Sequence, residues 1–129
     1  MFEVNAPRLV AELREAFEAY ERALMNNDIE GLNALFWNSP NTLRYGAREI
    51  HYGHAAIARF RRDRGPIGQS RTLRNTRITT FGNAFGVANT EFVPAGTDKT
   101  GRQSQTWIKT DAGWKIVSAH VSFLLLPNR

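Results

Sequence analysis

Apolar side chains near the N-terminus fall at Val10, Leu13, Phe17, Tyr20 and Leu24, three or four residues apart, with charged and polar residues between them. That spacing stacks them on one face of a helix. Asn5 is the expected N-cap, and the pair Asn26-Asn27 the expected stop. Asp28 is placed to cap a short second helix with Leu32, Leu35 and Phe36 inward, and Ser39-Pro40-Asn41 ends it with turn chemistry. Two short strands are expected at 42–45 and 49–52, turning near Gly46. Gly53 opens a third helix carrying Ala56, Ile57 and Phe60, which Gly65-Pro66 closes.

From Arg71 the period changes from helical to alternating. Residues 71–81 and 84–93 are rich in Thr, Phe and Val and are joined by Gly82-Asn83, a hairpin composition. A polar loop at 95–101 leads to a strand at 102–109, and Asp111-Ala112-Gly113 turns the chain into a last strand at 114–126. Helices come first and long antiparallel strands second, so the expected class is α+β: one domain over residues 1–129, with helices packed on one face of a curved, mainly antiparallel sheet. A curved sheet around one long helix leaves a cone-shaped cavity. Polar residues at inward positions are therefore the informative ones.

Tyr20 lies on the apolar stripe of the first helix, so its ring packs inside and its hydroxyl needs a partner; it serves either as a core tyrosine or as a site residue. Arg44 sits in a short strand directly after the second helix. A guanidinium near a core is costly unless an anion meets it, although the side chain can also turn to solvent or pair with Glu49. The strand around Gln103 and Gln105 is polar on both faces, which suits a wet cavity or an interface. On the last strand Val117, Ala119, Val121 and Phe123 share one side, leaving His120 on the other as an interface residue or, if the face is reversed, a pocket base. Trp114, His120 and Ser122 on that outer face point to a subunit contact, and a homodimer is expected.

The charge balance is +5 and the pI about 10.2, which raises the question of nucleic acid. The distribution answers against it. Arg59, Arg61, Arg62 and Arg64 close the expected third helix, where cations favour the dipole and are ordinarily solvated, and no aromatic residues interleave for base stacking. The basic balance suits a small acidic substrate at least as well. There is no cysteine, so disulfides, thiolate metal sites and a cysteine nucleophile are excluded. His51 and His54 straddle Gly53 without a carboxylate cluster, and no serine elbow, P-loop or dinucleotide fingerprint occurs, so neither a metal nor a cofactor is expected. The first residues lack the basic flank and apolar run of a signal peptide, and no stretch approaches the roughly 20 apolar residues of a membrane span. The expectation is a soluble, cytoplasmic protein.

The stretch from Tyr20 to Leu32, followed by Ala34-Leu35-Phe36, resembles the opening of ketosteroid-isomerase-like and SnoaL-like proteins of the cystatin-like cone fold. In that resemblance Tyr20 falls at the oxyanion-hole tyrosine, while Arg44 occupies the place of the isomerase's carboxylate base. A closer resemblance spans almost the whole chain. Leu35-Phe36-Trp37, Thr42-Leu43-Arg44-Tyr45-Gly46, Tyr52-Gly53, Phe60-Arg61, the run from Ile78 to Gly82, the run from Gly101 to Trp107 and Ala119-His120-Val121-Ser122 are together similar to the AtzH-like family, which includes the oxalurate-catabolism protein HpxZ. The resemblance implies a decarboxylating amidohydrolase acting on 1,3-dicarboxyurea or a related ureide, with Tyr20 and Arg44 as the essential pair. Arg71 is the candidate for the substrate's other end, and Gln105 for orienting its amides. A binding or oligomerisation module without catalysis, and a SnoaL-like isomerase or dehydratase, are the alternatives.

Overall fold

The structure, a computed structural model, describes residues 1–68 and 70–125. Helix α1 spans Pro7–Met25, with proline in the first turn, where its missing N–H has no intrahelical partner to lose. The expected cap is corrected here. Ala6 takes the N-cap position without a side-chain bond, because the preceding residues run beside a strand and Asn5 is engaged there. Its backbone N–H donates to the Thr80 carbonyl at 2.9 Å, and its Oδ1 accepts from the Thr80 N–H at 2.9 Å. At the other end Asn27 adopts φ 51°, the Asp28 N–H donates to Ala23 O at 2.8 Å and the Asn27 N–H to Leu24 O at 3.3 Å. These paired bonds are a Schellman stop, and asparagine tolerates the left-handed backbone it requires.

Helix α2, Ile29–Leu35, is capped by Asp28, whose carboxylate accepts from the Gly31 N–H at 3.0 Å. Strands β1 (Leu43–Tyr45) and β2 (Ile50–Tyr52) and helix α3 (His54–Arg64) follow. The meander comprises β3 (Arg71–Phe81), β4 (Phe85–Pro94), β5 (Gly101–Thr110) and β6 (Gly113–Phe123). The last strand ends three residues before the expected boundary, and Leu126 lies outside the described residues. The six strands form one sheet in the order β2-β1-β6-β5-β4-β3, antiparallel throughout except for the parallel β1–β6 pair.

Helix α1 lies across the concave face, burying Leu9, Leu13, Phe17, Tyr20 and Leu24 against Ile78, Ala88, Trp107 and Ile116. Gly86 of β4 permits the close approach, since a Cβ there would overlap a Leu13 methyl. The β5–β6 register slips between Thr106 and Trp107: Thr106 pairs with Ser118 but Trp107 with Ile116, leaving Val117 as an extra residue. A bulge of this kind reverses which parity faces inward. Trp114 and Ile116 therefore point into the core before it, and Ala119 after it. This corrects the placement of Trp114 on the outer face: it is buried, and its indole N–H donates to Glu12 at 3.3 Å. Among the described residues, no helix is long and apolar enough to cross a membrane.

Leu13 has no solvent exposure and sits where helix and sheet are closest. Leu13→Ala should lower the unfolding free energy in urea by about 2–5 kcal/mol, the range for a truncated core leucine that leaves a cavity.

Candidate functional site

The sheet register places one row of side chains across all six strands: His51, Arg44, Ala119, Gln105, Ala88 and Ile78. Every member is buried. Arg44 is thus an inward residue of β1, and alternation sends its neighbours Leu43 and Tyr45 the other way. The mouth-side row, Val121, Gln103 and Thr90, is next along the same face.

A cavity of about 220 Å³ opens between this face, α1 and α3. Its wall includes Tyr20 and Leu24 of α1, Arg44 of β1, Arg61 and Arg64 of α3, and Arg71, Phe92, Gln103 and Val121 of the meander. Of the residues singled out in the sequence, Tyr20, Arg44 and Arg71 therefore share one cavity. Gln105 does not line it. That glutamine lies deeper, accepting from the Trp107 indole N–H at 3.2 Å, and Gln103, two residues nearer the mouth on the same face, lines the cavity instead. His120 is exposed on the outer face, edge-on to Tyr45 with ring centroids 5.5 Å apart.

Four guanidiniums face the cavity. Arg44 lies over the Phe60 ring at 5.0 Å and donates to Glu49 Oε1 at 3.1 Å. Gly46 leaves the space through which Glu49 reaches it, because a Cβ there would overlap that carboxylate. Arg71 makes a two-point contact with Glu21 at 2.8 and 2.6 Å, donates to Gln103 Oε1 at 3.0 Å, and covers the Phe92 ring at 4.5 Å. Arg64 donates through Nε to Gly65 O at 3.2 Å. The expectation that the arginines closing α3 are all solvated is corrected at Arg61, which has no exposure and lies 5.1 Å over Phe36 and 5.8 Å over Tyr20. The sequence did carry the signal. Ile57, Phe60, Arg61 and Arg64 follow the i, i+3, i+4, i+7 spacing of one inward stripe, so two arginines prolong an apolar face into the cavity.

These charges act on each other. Burial alone would push the Tyr20 phenol up, but Arg61, then Arg44 and Arg71, outweigh burial and hold its pKa below the ordinary tyrosine value. Burial, then the cations Arg61 and Arg44, lowers Arg64. His51, stacked on Phe60 with centroids 4.4 Å apart, is lowered by burial and then by Arg44, and so stays neutral near pH 7. The arrangement offers fixed positive charge for an anion and an acidified phenol beside it.

The AtzH-like family model matches residues 2–126. The chain belongs to the AtzH-like family. Among solved structures, a protein from Burkholderia xenovorans described as a cystatin-like fold protein is 48% identical over 98% of this chain and 100% of its own, with a TM-score of 0.93. A DUF3225-family protein of unknown function from Pectobacterium atrosepticum is 48% identical over 95% of each chain, with a TM-score of 0.92. An NTF2-like protein from Pseudomonas putida, 15% identical over 91% of this chain and 87% of its own with a TM-score of 0.77, shares the fold alone. A comparison with the curated proteins found no match. The expected α+β cone is thus established, and so is the family.

The lowered Tyr20 pKa has a stability consequence. A depressed folded-state value means the folded protein releases this proton first, so the ionised phenol stabilises the fold above the unfolded value of about 10, and that contribution is lost as pH falls through the folded value. The groups around the phenol are Arg61, Arg44, Arg64 and Arg71, the paired carboxylates Glu21 and Glu49, and His51. Denaturant unfolding of the wild type and Tyr20→Phe across alkaline pH should show the wild type gaining on the variant up to about pH 10. A constant difference would contradict it.

Proposed function

We propose that the protein is a decarboxylating hydrolase of a small anionic carboxyurea or related ureide, working through its own side chains. The supporting observation is a buried phenol beside the guanidiniums of Arg61, Arg44 and Arg71 in a cavity of about 220 Å³, large enough for a small planar molecule. The AtzH-like resemblance supplies the substrate class, with 1,3-dicarboxyurea as its representative.

In this reading Arg44 grips a substrate carboxylate through its planar fork, a geometry that two parallel N–H bonds favour. The Gln103 side-chain NH2, buried and without a hydrogen-bond partner among the described residues, donates to the urea oxygen. The bond between nitrogen and the departing carboxylate breaks, its electron pair stays on nitrogen, and carbon dioxide leaves. Nitrogen takes the proton of the Tyr20 hydroxyl. The resulting phenolate rests against Arg61 and Arg44 until water returns a proton to it. General-acid help of this kind is worth about 10²–10⁴-fold.

Tyr20→Phe should lower kcat for carbon dioxide release from carboxyureas by about 10²–10⁴-fold with the circular dichroism spectrum unchanged. Arg44→Met should raise KM as well as lower kcat. Retained turnover in Tyr20→Phe would remove the phenol from the reaction. Binding without turnover in the wild type would leave the alternative, an accessory anion-binding domain of ureide or oxalurate catabolism.

The expected homodimer also belongs to this reading. Ile50 and Tyr52 are 64% and 67% exposed on β2, Tyr45 packs edge-on to both Tyr52 and His120, and together they make an aromatic patch on the outer face. A second copy of the chain is the partner proposed for it. Light scattering should give a dimer mass at micromolar concentration, and Tyr52→Glu should shift it to monomer. A monomeric wild type would refute the assignment.

A further inference from the structure

Arg61 has no solvent exposure, and its Nε, Nη1 and Nη2 all lack a hydrogen-bond partner among the described residues. Rings surround it, Phe36 at 5.1 Å and Tyr20 at 5.8 Å, with the Tyr20 hydroxyl close enough to feel its charge but no carboxylate paired with it among the described residues. The faces of aromatic rings attract a guanidinium but do not satisfy its five N–H donors. The other cations of the wall differ. Arg44 has Glu49, Arg71 has Glu21 and Gln103, and Arg64 has the Gly65 carbonyl for Nε while its buried Nη2 is unpartnered. Four guanidiniums therefore meet two carboxylates, and the wall carries two positive charges in excess among the described residues. A buried, unpaired fork of donors on a cavity wall is a binding element whose partner arrives from outside the chain.

We propose that Arg61 is a specificity-determining residue that grips a second carboxylate of the substrate, opposite the one held by Arg44, so that the cavity selects a dicarboxylate over a monocarboxylate. This rests on the reading above that the cavity receives a small carboxylate. Arg64, one turn further along the same inward stripe, offers Nη2 to the same group. Arg71 is already engaged by Glu21 through Nε and Nη2 and by Gln103 through Nη2, and so supports the mouth instead of taking the second carboxylate.

The test uses malonate as the dicarboxylate and acetate as the monocarboxylate, titrated calorimetrically into the full chain at neutral pH and fixed ionic strength. The wild type should bind malonate about 30-fold or more tightly than acetate, as a second charge-assisted contact implies. In Arg61→Met the ratio should fall to within about threefold with acetate binding retained, whereas Arg44→Met should weaken both ligands. Empty Arg61→Met should also melt higher than the wild type, because an uncompensated buried charge has gone; a purely structural arginine would melt lower when removed. Should Arg61→Met fail to fold, Arg61→Lys keeps the charge without the fork and should show an intermediate ratio. Equal binding of malonate and acetate by the wild type, or an unchanged ratio in the Arg61 variants, overturns the proposal. A malonate preference in a protein that releases no carbon dioxide from carboxyureas would uphold it and refute the proposed reaction.

Discussion

Positive charge held in a dry wall without enough negative charge to match it is the constraint on which the rest of this structure depends. Removing a guanidinium from water costs several kcal/mol even after relaxation, and a carboxylate partner recovers that only with good geometry. Arg44 and Arg71 have such partners, whereas Arg61, among the described residues, has no carboxylate, only the rings of Phe36 and Tyr20 and the neighbouring phenol. The fold tolerates this because the burial is concentrated elsewhere. Leu13, Leu32, Ile57, Trp107 and Ile116 are essentially without exposure, and full burial of each such side chain contributes about 1.5–3 kcal/mol. Stability is thus supplied at the closed end of the cone and spent on charge toward its mouth.

Three local devices put the cations where they are. The short strand β1 joins the sheet parallel to β6, which sets Arg44 beside Ala119, a side chain too small to displace it. The turn after β1 has glycine at position 46, so Glu49 can come up against the same guanidinium. Helix α3 keeps its inward stripe for a further turn after Phe60, but with arginine in place of leucine or isoleucine. Each is a backbone arrangement that fixes a long, flexible side chain by what surrounds it. The phenol of Tyr20 needs no such device, since the apolar stripe of α1 brings it to the same place.

Much of this could be read from the chain. Helical and alternating periods are local, and the nine elements lie within a few residues of where those periods put them. Tyr20 and Arg44 were legible because an amphipathic residue on an apolar stripe and a cation in a short inner strand break the pattern. What escaped depends on relations between distant segments. Trp114 changes face because of a bulge set by pairing with β5, which alternation within β6 cannot reveal. Gln103 and Gln105 have the same parity, so only their depth along the cone separates a cavity residue from one held by Trp107. Asn5 has cap chemistry but is engaged by Thr80, 75 residues away. Arg61 is different, for its spacing from Ile57 was visible and was outweighed by the ordinary behaviour of arginines at helix ends.

The pairing of the carboxylates also bears on which reaction suits the cavity. Proton abstraction from carbon needs a base whose oxygens are free to take the proton, and a carboxylate that accepts from a guanidinium has those oxygens engaged. Glu49 is held by Arg44, and Glu21 is held at two points by Arg71. His51 has its ring stacked on Phe60 and its pKa lowered by burial, which weakens it as a base, and it does not line the cavity. An isomerase or dehydratase of the usual kind would therefore lack its main group here. The proposed reaction, with positive charge for an anionic substrate and one proton delivered to nitrogen, would instead draw on Arg44, Arg61, Gln103 and Tyr20, without a carboxylate base. The cations that would attract such a substrate also make the phenol a stronger acid, so in the proposed reaction binding and proton delivery would draw on one electrostatic arrangement.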